Sequence, residues 1–148
     1  MNRDLLIVNF EKLEKSCFLL RDILAHLPPL EPNTIDNARA MEPYDALASR
    51  FERVVEIAVN RFFRSVELVV QGKPSETLRD RLQLMCKAGL ISSPELWLEM
   101  RDFRNRIAHD YLPEQLVAIY DGIRTRFLVE INHCVTSAKS FTEKHREG

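Results

Sequence analysis

The chain has 148 residues, 45% apolar and 29% charged, the length and composition of one globular domain that can bury a core. Its 21 Lys and Arg against 22 Asp and Glu give a formal net charge of −1, so no global basic field gathers nucleic acid, and contact with a polyanion has to come from local clusters or a symmetric assembly. Three scattered cysteines, Cys17, Cys86 and Cys134, form no C-x-x-C pair, which argues against a disulfide framework or zinc knuckle and for a reducing compartment.

With only 4 glycines and abundant Leu, Glu and Arg, the composition favours helices over strands. The first segment places Leu6, Phe10, Leu13, Cys17, Leu20, Leu24 and Leu27 in steps of four and three, one apolar stripe on a long helix. It ends at Pro28-Pro29, because the residue before a proline is pushed out of the α region. The apolar run from Leu5 to Val8 is far too short for a signal or membrane segment, and nothing later approaches a spanning length. The expectation is a cytoplasmic protein with no membrane contact.

Residues 28 to about 42, with Pro28, Pro29, Pro32 and flanking Pro43, read as the longest irregular stretch. A second long helix is expected from about Tyr44 to Val70, burying Leu47, Phe51, Val55, Ala58, Phe62 and Val69. Gly72, Pro74 and Ser75 interrupt it, and a shorter helix with Leu78, Leu82 and Met85 stops near Gly89. Ser93-Pro94 reads as an N-cap and first helical residue of a fourth helix, running to about Tyr111 and closed by Pro113. The last helix carries Leu116, Ile119, Ile123, Phe127, Ile131, Cys134, Ala138 and Phe141 and frays in its EKHREG tail. The sum is an all-α antiparallel bundle of about five helices, a single domain over residues 1–148.

The fourth helix holds the chemistry. Leu96, Met100, Phe103 and Ile107 form its core stripe. On a helical wheel with Arg104 at zero, the stripe centres near 290° and His109 falls at about 140°. His109 therefore points away from the protomer's core and Arg104 borders it. Asn105 and His109 are four apart, so the amide is expected beside the imidazole, fixing its orientation or tautomer. Tyr111 returns to Arg104's side. Trp97, the only tryptophan, reads as core or dimer packing. Arg101 and Arg106 read as a solvated charged face, and Asp110 as plain surface. His26, His133 and His145 share no ligand spacing with any Cys or acid, so neither a metal nor a cofactor is expected. No phosphate-cradling glycine loop or nucleophile elbow is present.

The stretch Arg104-Asn105-Arg106-Ile107-Ala108-His109-Asp110-Tyr111 resembles the R-x4-H-x-Y motif of the HepT toxin branch of the HEPN superfamily, in which Asn directly after the Arg is also typical. The preceding Ala88-Gly89-Leu90-Ile91 is similar to that family's approach to its motif. The resemblance implies a HEPN-like bundle acting as a metal-independent endoribonuclease, a homodimer in which Arg104 and His109 of two protomers face one another across a shared cleft. It also implies a toxin neutralised by a minimal nucleotidyltransferase antitoxin that attaches adenylate to the motif tyrosine, Tyr111. The chemistry is compatible. An imidazole can take the proton of a ribose 2′-OH or return one to the leaving oxygen, and a guanidinium can grip the phosphate as charge builds on it.

Relatives of this kind draw support from acidic or polar residues of the second helix, for which Glu52 and Glu56 are the candidates. Two other readings stand beside the toxin. One is a non-catalytic substrate- or nucleotide-binding subunit of a nucleotidyltransferase, the other a structural helical adaptor.

Overall fold

The computed structural model describes residues 1–109 and 111–146. Among the described residues the chain forms helices and turns and no strand. The helices are α1 (Asn2–His26), α2 (Ala38–Ile57), α3 (Phe63–Gln71), α4 (Leu78–Lys87), α5 (Pro94–Arg101), α6 (Phe103–Ala108), α7 (Pro113–Gly122) and α8 (Leu128–Arg146). A π turn, Ala58–Phe62, joins α2 to α3, and a second, Ile123–Phe127, joins α7 to α8. With α5 and α6 meeting at a bend, these make the five runs expected from the sequence. Among the described residues no helix is long and apolar enough to cross a membrane.

The α1 stripe packs as its spacing requires. Leu6, Phe10, Leu13, Cys17 and Leu20 are buried, whereas Leu24 and Leu27 lie half-buried at the rim. Side-chain ties mark the antiparallel course of the α2–α3 run along α1. Asn9 Nδ2 donates to Arg61 O (3.2 Å) and Ser65 Oγ (2.6 Å), and Arg50 Nη1 donates to Leu19 O (2.9 Å). On its other side α1 meets α8 in the opposite sense. Arg21 bonds Asn132 (3.0 Å), and the Arg124 guanidinium donates to the carbonyls of Leu24 and Leu27, where α1 ends.

The first π turn accepts polar contacts at its backbone, and the second donates one from a side chain. Arg81 Nη1 donates to Val59 O (3.0 Å), and Nη2 lies 3.0 Å from the buried Glu67 carboxylate. Arg61 O accepts from Ser65 Oγ (3.0 Å) as well as from Asn9. In the second turn Thr125 leaves helical geometry (φ −105°, ψ −107°), and its hydroxyl donates to Asp121 O (3.0 Å). Side chains that satisfy displaced carbonyls are what let a helix keep such a bulge.

The second run begins at Ala38, not near Tyr44. Asn37 caps it, its Oδ1 accepting from Ala40 N (3.0 Å). Pro43 lies inside the helix. Pro43 and Arg39 are both exposed, so the carbonyl left without a donor faces water and the proline is tolerated. The irregular stretch shortens accordingly and contains a 3₁₀ turn at Pro32–Thr34. Gly72 and Gly89 end α3 and α4 with φ of +75° and +80°, the left-handed geometry that glycine adopts without strain. The last helix continues to Arg146, so four of the six tail residues expected to fray are helical. The rest of that tail, and Asp110, lie outside the described residues.

One buried carboxylate fastens the approach to α5. Glu130 of α8 is 4% exposed, and its Oε2 accepts from Ser92 N (2.9 Å) and Trp97 Nε1 (2.8 Å). Trp97 packs edge-on against Phe63 (5.1 Å), so it is a core residue. Removing the carboxylate leaves two donors unsatisfied, at about 1–3 kcal/mol for each one that stays buried. We expect Glu130→Ala to lower the unfolding free energy by about 2 kcal/mol or more, measured by urea titration of Trp97 fluorescence. Glu130→Gln, which keeps an acceptor there, should retain most of it. An alanine variant as stable as the parent would show that this carboxylate is no clamp.

Candidate functional site

The helix that carries the motif is bent and shorter than its periodicity suggests. Ser93 caps α5, its Oγ accepting from Leu96 N (3.4 Å), with Pro94 as the first helical residue. At Asp102 (φ −84°, ψ 0°) the run bends, and its amide is shared between the carbonyls of Leu98 and Glu99 (3.1 Å each). The core stripe survives the bend. Met100 and Phe103 are buried, with Leu96 and Ile107 half-buried beside them.

The run then ends at Ala108, not at Tyr111. His109 is extended (φ −75°, ψ 157°). Pro113 holds Leu112 extended as well (φ −63°, ψ 150°). Tyr111 therefore sits in the connection, its amide donating to His109 O (3.0 Å). The wheel position deduced for it does not apply. Gln115 closes the start of α7, its Oε1 accepting from Leu112 N (2.9 Å).

The site residues separate into two groups. A cleft of about 450 Å³ between α2 and the α5–α6 run is lined by Glu52, Glu56, Asn60, Arg101, Arg104 and Asn105 over Val55 and Met100. Both second-helix acids named as support candidates thus lie beside Arg104. Arg104 Nε donates to Glu52 Oε2 (3.1 Å), and Nη2 bonds the same oxygen. Nη1 bonds no described residue. The Arg104 side chain is 73% exposed and that of Glu52 20%, while Glu52 Oε1 is buried without a hydrogen bond. Asn105 donates from Nδ2 to Asp102 Oδ1 (2.9 Å). It is therefore tied to the bend and not to His109, because the helix has ended before the imidazole.

The second group is His109 with Tyr111, their rings edge-to-face at 6.0 Å. His109 is exposed and does not line the Arg104 cleft. Tyr111 is half-buried, packed against the rim of the core. The other two tyrosines are buried: Tyr44 donates to Pro28 O (2.7 Å), and burial, then Asp45 and Glu52, push the Tyr120 phenol up to about 12. Tyr111 alone of the three tyrosines is not buried. Among the described residues no group of three or more His, Cys, Asp and Glu is placed to hold a metal ion.

Residues 8–140 match the family described as nucleotidyltransferase substrate binding protein like. The chain belongs to that family, within the HEPN-like superfamily. The family match takes in every site residue named above, from Glu52 to Tyr111. No curated protein and no solved structure matches the chain.

Within this family member, sequence reasoning missed Asn60 and Asp102. Asn60 projects into the cleft from the π turn, which shifts helical phase without a glycine or proline to announce it. Asp102 had a local signal, an acid three residues before Asn105 where the amide could reach it.

Proposed function

We propose that this protein is the toxin component of a nucleotidyltransferase-linked pair, a metal-independent endoribonuclease that works as a homodimer. The observation that carries the reading is the Arg104 cleft. It presents a guanidinium whose Nη1 bonds no described residue, oriented by Glu52 on a neighbouring helix, within an R-x4-H-x-Y motif. In this reading Arg104 holds the scissile phosphate and stabilises its growing charge. His109 removes the 2′-OH proton, the 2′-oxygen attacks phosphorus, and the P–O5′ bond breaks to leave a 2′,3′-cyclic phosphate, the 5′-oxygen taking its proton from the imidazolium. Asn105 and Glu56 support the cleft by position.

The same geometry favours a dimer. A cleft with Arg104 but without His109 is half a catalytic set, and an exposed His109 from a second copy completes it. RNA as substrate follows from the need for an internal 2′-OH nucleophile.

The family description favours a second reading, a non-catalytic subunit that binds substrate for its nucleotidyltransferase. Activity separates the two. Purified protein should cut RNA in the presence of EDTA, and expression should arrest growth. Arg104→Ala and His109→Ala should each abolish both effects while changing stability by no more than about 1 kcal/mol, since both side chains are largely in solvent. RNA left intact by the parent protein would decide for the binding subunit. Activity lost with chelator and restored by a divalent ion would overturn the mechanism.

Tyr111 is the proposed point of control. Its phenol oxygen would attack the α-phosphate of ATP on the partner nucleotidyltransferase, releasing pyrophosphate and leaving adenylate beside His109. The added phosphate and base would oppose RNA by charge and by bulk. Intact mass after co-expression with a linked nucleotidyltransferase should rise by one or more adenylates, and Tyr111→Phe should prevent it. A mass gain that persists in Tyr111→Phe would contradict the assignment.

A further inference from the structure

Although the chain is close to neutral, its cations are unevenly engaged. Arg50, Arg79, Arg81, Arg104 and Arg126 each pair with a carboxylate. Lys12 and Lys15 of α1, with Arg53 and Arg61 of the α2–α3 run, form no ion pair with a described residue, and all four are exposed. These four line the two banks of one groove of about 310 Å³, floored by Leu19 and Ile57. Glu56 is the only acid among its lining residues, and it also lines the Arg104 cleft. Groove and cleft therefore flank the same ridge of α2, about one helix diameter (~10 Å) apart.

We propose that the groove between α1 and α2 is a phosphodiester-binding track that holds single-stranded RNA next to the Arg104 cleft. The positive charges are spaced along it. Lys12 and Lys15 are separated by about one turn on one bank, and Arg53 and Arg61 by about 12 Å of helix on the other. A row of cations on two facing banks matches a repeating anion better than a single phosphate. Unpaired cations release counterions when such a chain binds, which is the main source of affinity for a sequence-tolerant site. The apolar floor accepts base faces without selecting among them. The identification of the polyanion as RNA rests on the proposed function; the groove itself does not.

The test measures binding without turnover. Full-length protein carrying His109→Ala is titrated into a fluorescently labelled oligouridylate at several salt concentrations, with and without Lys12→Ala, Lys15→Ala and Arg53→Ala. These three positions lie in regular helix, where alanine is well tolerated. The triple variant should bind at least tenfold more weakly, with a log–log salt slope shallower by about two. Glu56→Gln alone should tighten binding. Equal affinity and slope in the triple variant, or no RNA binding by the His109→Ala parent, overturns the proposal. So does a triple variant that still binds RNA but no longer co-purifies with its nucleotidyltransferase, which would make the groove a protein-docking surface. If the groove holds RNA that the protein with His109 intact never cuts, the track stands and the nuclease reading falls.

Discussion

Phe103 is the residue on which the placement of the site turns. Its ring is fully buried, edge-on to Phe51 of α2 at 5.0 Å and to Tyr120 of α7 at 5.6 Å, and Phe51 stacks in turn on Phe127 at 5.4 Å. α6 is only six residues long and has too little hydrogen bonding of its own to persist alone. Its position is set by this aromatic contact, reinforced by the Glu130 clamp on Ser92 and Trp97 one helix earlier. Since Arg104 follows Phe103 directly, burying one ring delivers the guanidinium to the edge of α2, within reach of Glu52. The bend at Asp102 and the end of the helix at Ala108 then leave His109 and Tyr111 outside that edge.

The bundle was largely legible because its stripes are long and regular. Leu6 to Leu20 in α1, Leu47 to Phe62 in the second run and Ile119 to Ala138 in the last all fall in the core as their spacing requires. The misjudged features were those decided by solvent and packing. Pro43 reads as a breaker, but on an exposed face its lost hydrogen bond is answered by water, so the helix begins at Ala38. The first π turn carries no residue signature, since its carbonyls at Val59 and Arg61 are satisfied from outside it, by Arg81, Asn9 and Ser65.

The candidate site was legible in its membership and not in its internal geometry. Arg104, Glu52, Glu56 and Asn105 do share one cleft. The pairing of Asn105 with His109 needs a helix that continues, whereas α6 ends at Ala108 and His109 is extended. Charge was the least legible feature of all. A net charge of −1 conceals an ordering in which five arginines pair with carboxylates, whereas Lys12 and Lys15 of α1 and Arg53 and Arg61 facing them form no ion pair with a described residue. Composition sums those sets, and only the packing of the helices separates them.

The central claim is that Arg104 of one copy works with His109 of another. Mixing two inactive proteins, Arg104→Ala and His109→Ala, under conditions that exchange protomers tests it directly. A mixed dimer assembles one cleft with both groups intact, so metal-independent RNA cleavage should reappear on mixing and grow with the fraction of mixed dimers. If the mixture stays as inactive as its components after exchange has been verified, Arg104 and His109 do not act across the two copies, and the composite cleft is contradicted.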